Sequence, residues 1–297
     1  MSAHSFFWVD AFTERAYAGN PCAVLLDTDD LSAERMQTIA REMNLSETSF
    51  VRRSSVAGFA ARYFTPAEEI PLAGHPTIAT TWALIEAGRL RSPVNETYTY
   101  ALELKEGPVD VSIDASAGSR PMITMTQRRP EFGRTYDAAD VLPAFGLTAG
   151  DALPDVPIQM VSTGTPQLMV PLRDRETLKR AVLDVERYRK LKADADFFSP
   201  HCFCLGGFTS VGNTSARHFG VPPDTMEDPF TGSATGGMAA YLWHYSLIQE
   251  PSFVAEQGHP MGRPGTAWVQ VAGPRDDIAA VRVGGTAVTI ARGELED

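Results

Sequence analysis

The 297-residue chain carries 37 acidic against 26 basic residues, a formal charge of -11 and a pI near 5.0. That balance argues against a polyanion-binding surface, which needs clustered Lys and Arg; the short pairs Arg52-Arg53 and Arg128-Arg129 read as solvated strand ends and predict no nucleic-acid partner. With 43% hydrophobic and 21% charged residues, the chain has an ordinary globular composition and the length for one large domain or two of about 150 residues.

The opening "MSAHSFFWVDAF" has no basic leader, and Asp10 breaks its apolar run, so it reads as a first strand and not as a signal peptide. No run approaches the roughly 18 uncharged apolar residues of a membrane span, which predicts a cytoplasmic protein with no membrane partner. Strand signals follow in "CAVLL". "SAERMQTIAREM" predicts a helix with a Ser32 cap, one face carrying Met36, Ile39, Ala40 and Met43, and an end at Asn44. "TSFVRR" and "FAARYF" read as strands, and "TIATTWALIEAGRL" as a helix apolar nearly all round, hence enclosed by sheet. "TYTYALEL", "VDVSI" and "MITMTQ" complete the strands of the first half; "IQMVST", "QLMVPL", "HCFCLGG" and "TSARHF" are those of the second. A second all-round apolar helix lies in "GSATGGMAAYLWHYSLI", and the tail "IAAVRVGGTAVTIARGEL" reads as two short strands able to join either half. Cys22, Cys202 and Cys204 are too few for a disulfide scaffold, and the lone "CFC" lacks a second ligand pair for zinc.

The chain repeats itself. "ARYFTPAEEIPLAGHPTIATTWAL" from Ala61 can be laid over "ARHFGVPPDTMEDPFTGSATGGMAAYL" from Ala216, and "GNPCAVLL" from Gly19 over "GTPQLMVP" from Gly164. Two matches in one order suggest a duplicated unit, each copy a set of strands around one helix. Both matches converge on a buried helix start, near Gly74-His75 and Gly232-Ser233, where free N–H groups and the positive dipole end favour an anion such as a small carboxylate. The same glycines can equally serve only as tight turns. The copies differ where chemistry would differ: Ile70 against Asp228 before the proline or turn, and His75 against Ser233 after the glycine. An Asp before Pro is commonly a turn residue, and a lone His commonly a satisfied core residue; facing each other, the two could form a proton-handling pair. Glu47 in "NLSETSFV" opens a strand, and its spacing from Asn44 also suits a capping acid.

"VDAFTERAYAGNPCAVLL", "NLSETSFV", "YFTPAEEIPLAGHPTIAT", "EDPFTGSATGG" and "VRVGGTAVTIARGEL", spread from about residue 8 to 294, together resemble the PhzF-like phenazine-biosynthesis isomerase family, which shares the diaminopimelate epimerase fold. The resemblance implies an α+β protein of two similar domains, each a mostly antiparallel sheet rolled around a central helix, related by a pseudo-twofold duplication. The domains would span 1–128 and 129–278, with strands 279–297 returning to the first, the site in the cleft between them, and the protein a homodimer. The family's catalytic glutamate falls on Glu47, its site histidine on His75 and its site aspartate on Asp228; Gly74, Gly232, Ser233 and Asn20 would contact the substrate. The epimerase relatives open both central helices with cysteines, where this chain has His75 and Ser233, so a two-thiol racemase is disfavoured. Bulky Phe230 beside the second motif is a departure that could reshape the pocket.

From that resemblance the expected reaction is a cofactor-independent C–H proton shift on a small amino or hydroxy carboxylic acid, of the trans-2,3-dihydro-3-hydroxyanthranilate isomerase type. A single Glu47, its pKa raised toward neutrality, would take the proton and return it two carbons away. Asp228 and His75 would hold an amino or hydroxyl group, and the helix starts the carboxylate. The pattern calls for no metal, nucleotide or flavin. Two rival readings stand beside it: a cofactor-independent racemase or epimerase, and a non-catalytic small-ligand-binding protein.

Overall fold

The computed structural model describes residues 3–91, 94–115 and 120–296. Contacts divide the chain into two units: Met1–Thr126 with Pro222–Thr225 and Val283–Asp297, and Gln127–Val221 with Met226–Arg282.

The first unit runs β1 (Ala3–Ala11), β2 (Asn20–Leu25), α1 (Ala33–Met43), β3 (Glu47–Arg52), β4 (Phe59–Phe64), β5 (Glu69–Ile70), α2 (Gly74–Glu86), β6 (Thr97–Leu104), β7 (Gly107–Asp114) and β8 (Met122–Gln127), β8 ending at the division. β1 pairs antiparallel with β2, β3 with β4, and β6 with β7 and β7 with β8, whereas β2 with β3 and β4 with β6 are parallel. α1 supplies the crossover between β2 and β3; it starts on Ser32, whose hydroxyl accepts from Arg35 N–H, ends on Asn44 in the left-handed conformation, and buries Met36, Ile39 and Ala40.

The second unit runs β9 (Glu131–Tyr136), α3 (Ala138–Val141), β10 (Ile158–Ser162), β11 (Pro166–Pro171), α4 (Arg175–Arg180), α5 (Val185–Lys192), β12 (Ser199–Leu205), β13 (Thr214–Phe219), β14 (Glu227–Asp228), α6 (Gly232–His244), β15 (Ser252–Gln257), β16 (Gly265–Ala272) and β17 (Ala280–Gly285). β17 carries the chain across the division, and the ten-residue β18 (Ala287–Glu296) pairs antiparallel with β1 along its whole length. The two halves share one pairing scheme: β11 is parallel to β12 as β2 is to β3, and β13 is parallel to β15 as β4 is to β6. In place of α1, the second crossover is built from α4 and α5, which the sequence pattern did not signal. Both are short and polar on most faces, so they carry little apolar periodicity; they start on the carboxylates of Asp174 and Asp184.

Each unit encloses its long apolar helix as expected. α2 packs on β1, β2, β3 and β18, and α6 on β10, β11 and β16. A helix with no wet face must satisfy every hydroxyl internally. In α2, Tyr63 Oη lies 3.0 Å from Thr77 Oγ1, Ser49 Oγ 2.6 Å from Thr80 Oγ1, and Tyr100 Oη 2.8 Å from Thr81 Oγ1.

The duplication reaches individual side chains. Arg62 grips Glu69 with Nε and Nη2 at 2.8 and 2.9 Å and lies over Phe64; Arg217 grips Glu227 at 2.8 and 2.7 Å and lies over Phe219. The hairpin loops before β4 and β13 are each tied down by a carboxylate of the parallel neighbour, Glu103 accepting from Ser54 Oγ at 2.5 Å and the buried Glu256 accepting from Thr209 and from Phe208 N–H. Arg217 also donates Nη1 to the carbonyls of Leu178, Lys179 and Ala181 at the end of α4, contacts for which Arg62 has no equivalent among the described residues. Removing a buried ion-pair partner leaves the other charge and these carbonyls unmet. Arg217→Ala is therefore expected to cost about 3–5 kcal/mol in urea unfolding and Arg62→Ala, at a half-buried pair, roughly half as much; equal losses would contradict the added role of Arg217.

Candidate functional site

In the first unit, three predicted residues meet. Gly19 adopts φ +60°, and a Cβ there would lie 2.1 Å from the Ala11 carbonyl, so only glycine makes this approach. The turn delivers Asn20, fully buried at the start of β2. Glu47 is the first residue of β3, paired across the parallel ladder with Cys22. His75 is the second residue of α2 and is 2% exposed. Asn20 Nδ2 lies 3.0 Å from His75 Nδ1. An amide nitrogen only donates, so Nδ1 accepts and the proton of the neutral ring sits on Nε2. That nitrogen lies 3.4 Å from Glu47 Oε2, whose side chain is 16% exposed. The result is a carboxylate at a strand end, partly open to solvent, with a tautomer-fixed imidazole beside it.

Gly74 opens α2 in the same unit. Its N-cap, Ala73, is extended and has no side chain to cap the first turn, so the dipole end is offered to whatever approaches it.

Asp228, Gly232 and Ser233 belong to the second unit. Asp228 ends β14, its Oδ2 accepting from Thr231 Oγ1 at 2.5 Å. Since the Thr231 hydroxyl is turned to Asp228, the N-cap of α6 also makes no side-chain cap bond. Gln257 clamps this turn, donating Nε2 to the Asp228 carbonyl at 2.7 Å and accepting from Thr231 N–H at 3.1 Å. Gln127 donates to the Gly232 carbonyl at 2.9 Å and accepts from Thr163 Oγ1 at 2.6 Å. Sequence reasoning passed over both glutamines. The available signal was a polar side chain in an inward strand slot: Gln127 closes the alternating "MITMTQ" and Gln257 closes the buried "SFVAEQ".

Two expectations are corrected or sharpened here. Phe230 does not stand beside an open pocket: it is fully buried against Gly265, where a Cβ would come within 2.5 Å of its ring. It fills the core because the chain must turn inward ahead of the enclosed α6. Glu227, like Glu69, is the partner of an arginine, and Asp228 is the acid left to this turn. The cysteines are all buried and unbridged, and burial raises their thiols, Cys204 to about 12, so none is a thiolate at neutral pH.

Two tests follow. In Asn20→Leu, His75 should lose its fixed tautomer, seen as averaging of the two ring-nitrogen shifts in a 15N spectrum; unchanged shifts would show that Asn20 does not orient the ring. A Cβ on Gly236 would lie 1.8 Å from Gln127 Oε1, so Gly236→Ala should destabilise by about 1–3 kcal/mol through overpacking, read from thermal unfolding, and Gln127→Ala in the same chain should recover part of the loss.

Comparison with known proteins places the chain among characterised sequences. Residues 9–293 match the family model described as phenazine biosynthesis-like protein. A Bacillus subtilis relative named as an uncharacterized isomerase is 37% identical over 88% of both chains. The trans-2,3-dihydro-3-hydroxyanthranilate isomerase of Pseudomonas chlororaphis is 32% identical over 98% of this chain and 99% of its own. The crystal structure of a PhzF-family phenazine biosynthesis protein from Bacillus anthracis superposes with a TM-score of 0.89 at 31% identity, covering both chains fully.

Proposed function

We propose, from the premise that this chain belongs to the phenazine biosynthesis-like protein family and is an isomerase, that it moves a C–H proton on a small amino or hydroxy carboxylic acid with Glu47 as its single acid/base. The observation that carries this reading is the Asn20–His75–Glu47 arrangement: a carboxylate at a strand end, 3.4 Å from an imidazole whose tautomer is set from behind. A carboxylate held so can accept a proton from one carbon and return it to another on the same face, which an allylic shift requires and a stereoinversion does not. The imidazole Nε2–H keeps a donor beside Glu47 without itself offering a lone pair there. Asp228 is assigned the amino or hydroxyl group of the substrate, and the uncapped starts of α2 and α6, at Gly74 and at Gly232-Ser233, its carboxylate and the charge that develops as the C–H bond breaks.

Support for the substrate class comes from the relative that acts on trans-2,3-dihydro-3-hydroxyanthranilate, and that compound is the first probe. Incubated with it in deuterated buffer, the wild type is expected to yield product bearing deuterium at the carbon that receives the proton, because the partly exposed Glu47 carboxyl exchanges its proton with solvent before returning it. Glu47→Gln should lower the rate by about two to four powers of ten with the fold intact. Equal rates in wild type and Glu47→Gln would remove Glu47 from the mechanism; deuterium appearing with inversion at one carbon would replace the isomerase by an epimerase. The resemblance also implies a homodimer, which sedimentation equilibrium would check.

A further inference from the structure

A chain of buried polar groups runs through the second unit and has no part in the mechanism so far. Gln167, Ser199, His201 and His218 are at most 6% exposed, and all lie on β11, β12 and β13. Ser199 Oγ donates to Gln167 Oε1 at 2.8 Å. A hydroxyl has one proton, so at 2.7 Å from His218 Nε2 it must accept, and His218 carries its proton on Nε2. His218 Nδ1 is then a lone pair, 3.3 Å from His201 Nδ1, which donates to it. The run is therefore directional: His201 to His218 to Ser199 to Gln167. Both nitrogens of His218 are committed, and the ring cannot turn over without breaking two bonds.

The rung that holds His218 is what differs between the two copies. In the first unit, Tyr63 of β4 pairs with Ile70 of β5; at the same rung of the second, His218 of β13 pairs with Asp228 of β14. The first rung has no carboxylate; the second sets an imidazole beside one. The other members changed with it. Ser199 stands at the ladder step that carries Glu47 in the first unit, paired with Gln167 as Glu47 is with Cys22. Tyr63 and Ser49 bond to Thr77 and Thr80 of α2; the corresponding α6 positions are Thr235, whose hydroxyl donates to the Thr231 carbonyl, and Met238, and the imidazoles that replace Tyr63 and Ser49 bond to one another.

We propose that His218 is a positioning residue for Asp228: held as a neutral ring of one tautomer by Ser199 and His201, it stands on the rung beside Asp228 and sets the place of that carboxylate by packing, not through its ring nitrogens, both of which are bonded elsewhere. The proposal rests on the assignment of Asp228 to substrate binding made above. The groups facing His218 are His201 from β12 and Asp228 from β14; α6 brings only small and hydroxyl residues in its first turns. Burial holds His218 down to about 4, the Asp228 charge opposing it, and burial with the neighbouring His218 holds His201 well below the ordinary histidine range. At neutral pH both rings are uncharged. A cation at His218 would pair with Asp228 and occupy it.

The first test needs no substrate. In the full 15N-labelled chain at pH 7, long-range 1H–15N correlation should show the His218 proton on Nε2 and a bare Nδ1. As the pH is lowered toward 4, His218 should begin to charge in the wild type and charge less at the same pH in Asp228→Asn, which lacks the neighbouring anion that favours the cation. A proton on Nδ1, a charged ring at pH 7, or the same charging in Asp228→Asn would overturn the proposal even if the enzyme proves to be the isomerase proposed. The second test uses trans-2,3-dihydro-3-hydroxyanthranilate. His218→Gln should raise KM about tenfold with a smaller change in kcat and shift the acid limb of kcat/KM, and adding it to Asp228→Asn should cost almost nothing more, as expected for groups acting as a unit. Multiplying effects would mean that His218 acts independently of Asp228, and the proposal would fall. If the wild type leaves this probe untouched, the substrate reading fails while the spectroscopic result still decides the role of His218.

Discussion

Enclosing a helix on every side by strands is the constraint on which the rest of each unit depends. α2 and α6 have no wet face, so their side chains are small or apolar and their threonines are bonded internally. The C-terminal end of such a helix can pass into ordinary turn structure. Its N-terminal end, with unpaired N–H groups and a partial positive charge, is the place where a buried helix can still meet a ligand. In both units that end is left without a side-chain cap, and in both the chemically distinctive residues gather there: His75 with Asn20 and Glu47 in one, Asp228 with Thr231 and Gln257 in the other.

The duplication separates structure from chemistry. What repeats is mechanical: the arginine clamps Arg62–Glu69 and Arg217–Glu227, the carboxylates of Glu103 and Glu256 that tether two hairpin loops, and the order of parallel and antiparallel pairings. What differs between copies is confined to a few inward slots. Glu47 corresponds to Ser199 on its ladder step, His75 corresponds to Ser233, and the Tyr63–Ile70 rung is matched by His218–Asp228. A clamp that is needed twice to hold a strand to its neighbour stays the same, because the backbone it serves is the same. An inward slot near a helix start is free to change, because its partners are side chains that can change together.

Much of this was legible in the chain itself. The repeat was visible because Ala-Arg-aromatic-Phe and Gly-x-Pro recur in order, and each arginine turned out to have a fixed mechanical duty. The enclosed helices were visible because their apolar residues leave no polar stripe, and Ser32 and Asn44 bounded α1 because a cap hydroxyl and a left-handed end are local chemistry. α4 and α5 escaped notice because short polar helices, started by Asp174 and Asp184, leave little periodic trace. Phe230, read as a neighbour of the pocket, is core, since nearness along the chain does not say which way a side chain turns.

The sequence by itself determined the α+β class, the duplication, and the contrast of His75 at one helix start with Asp228 and Ser233 at the other, because these rest on local propensity and on motifs a few residues long. Only the tertiary structure decided what each does to its neighbours. Asn20 and His75 are 55 positions apart, and the tautomer of His75 depends on an amide brought to 3.0 Å by a glycine turn and a buried helix. His201 and His218 look like unrelated strand residues until the β12–β13 register places them on one rung, as the β13–β14 register does His218 and Asp228. Pairing across strands is set by long-range packing and carries no signature in either strand alone.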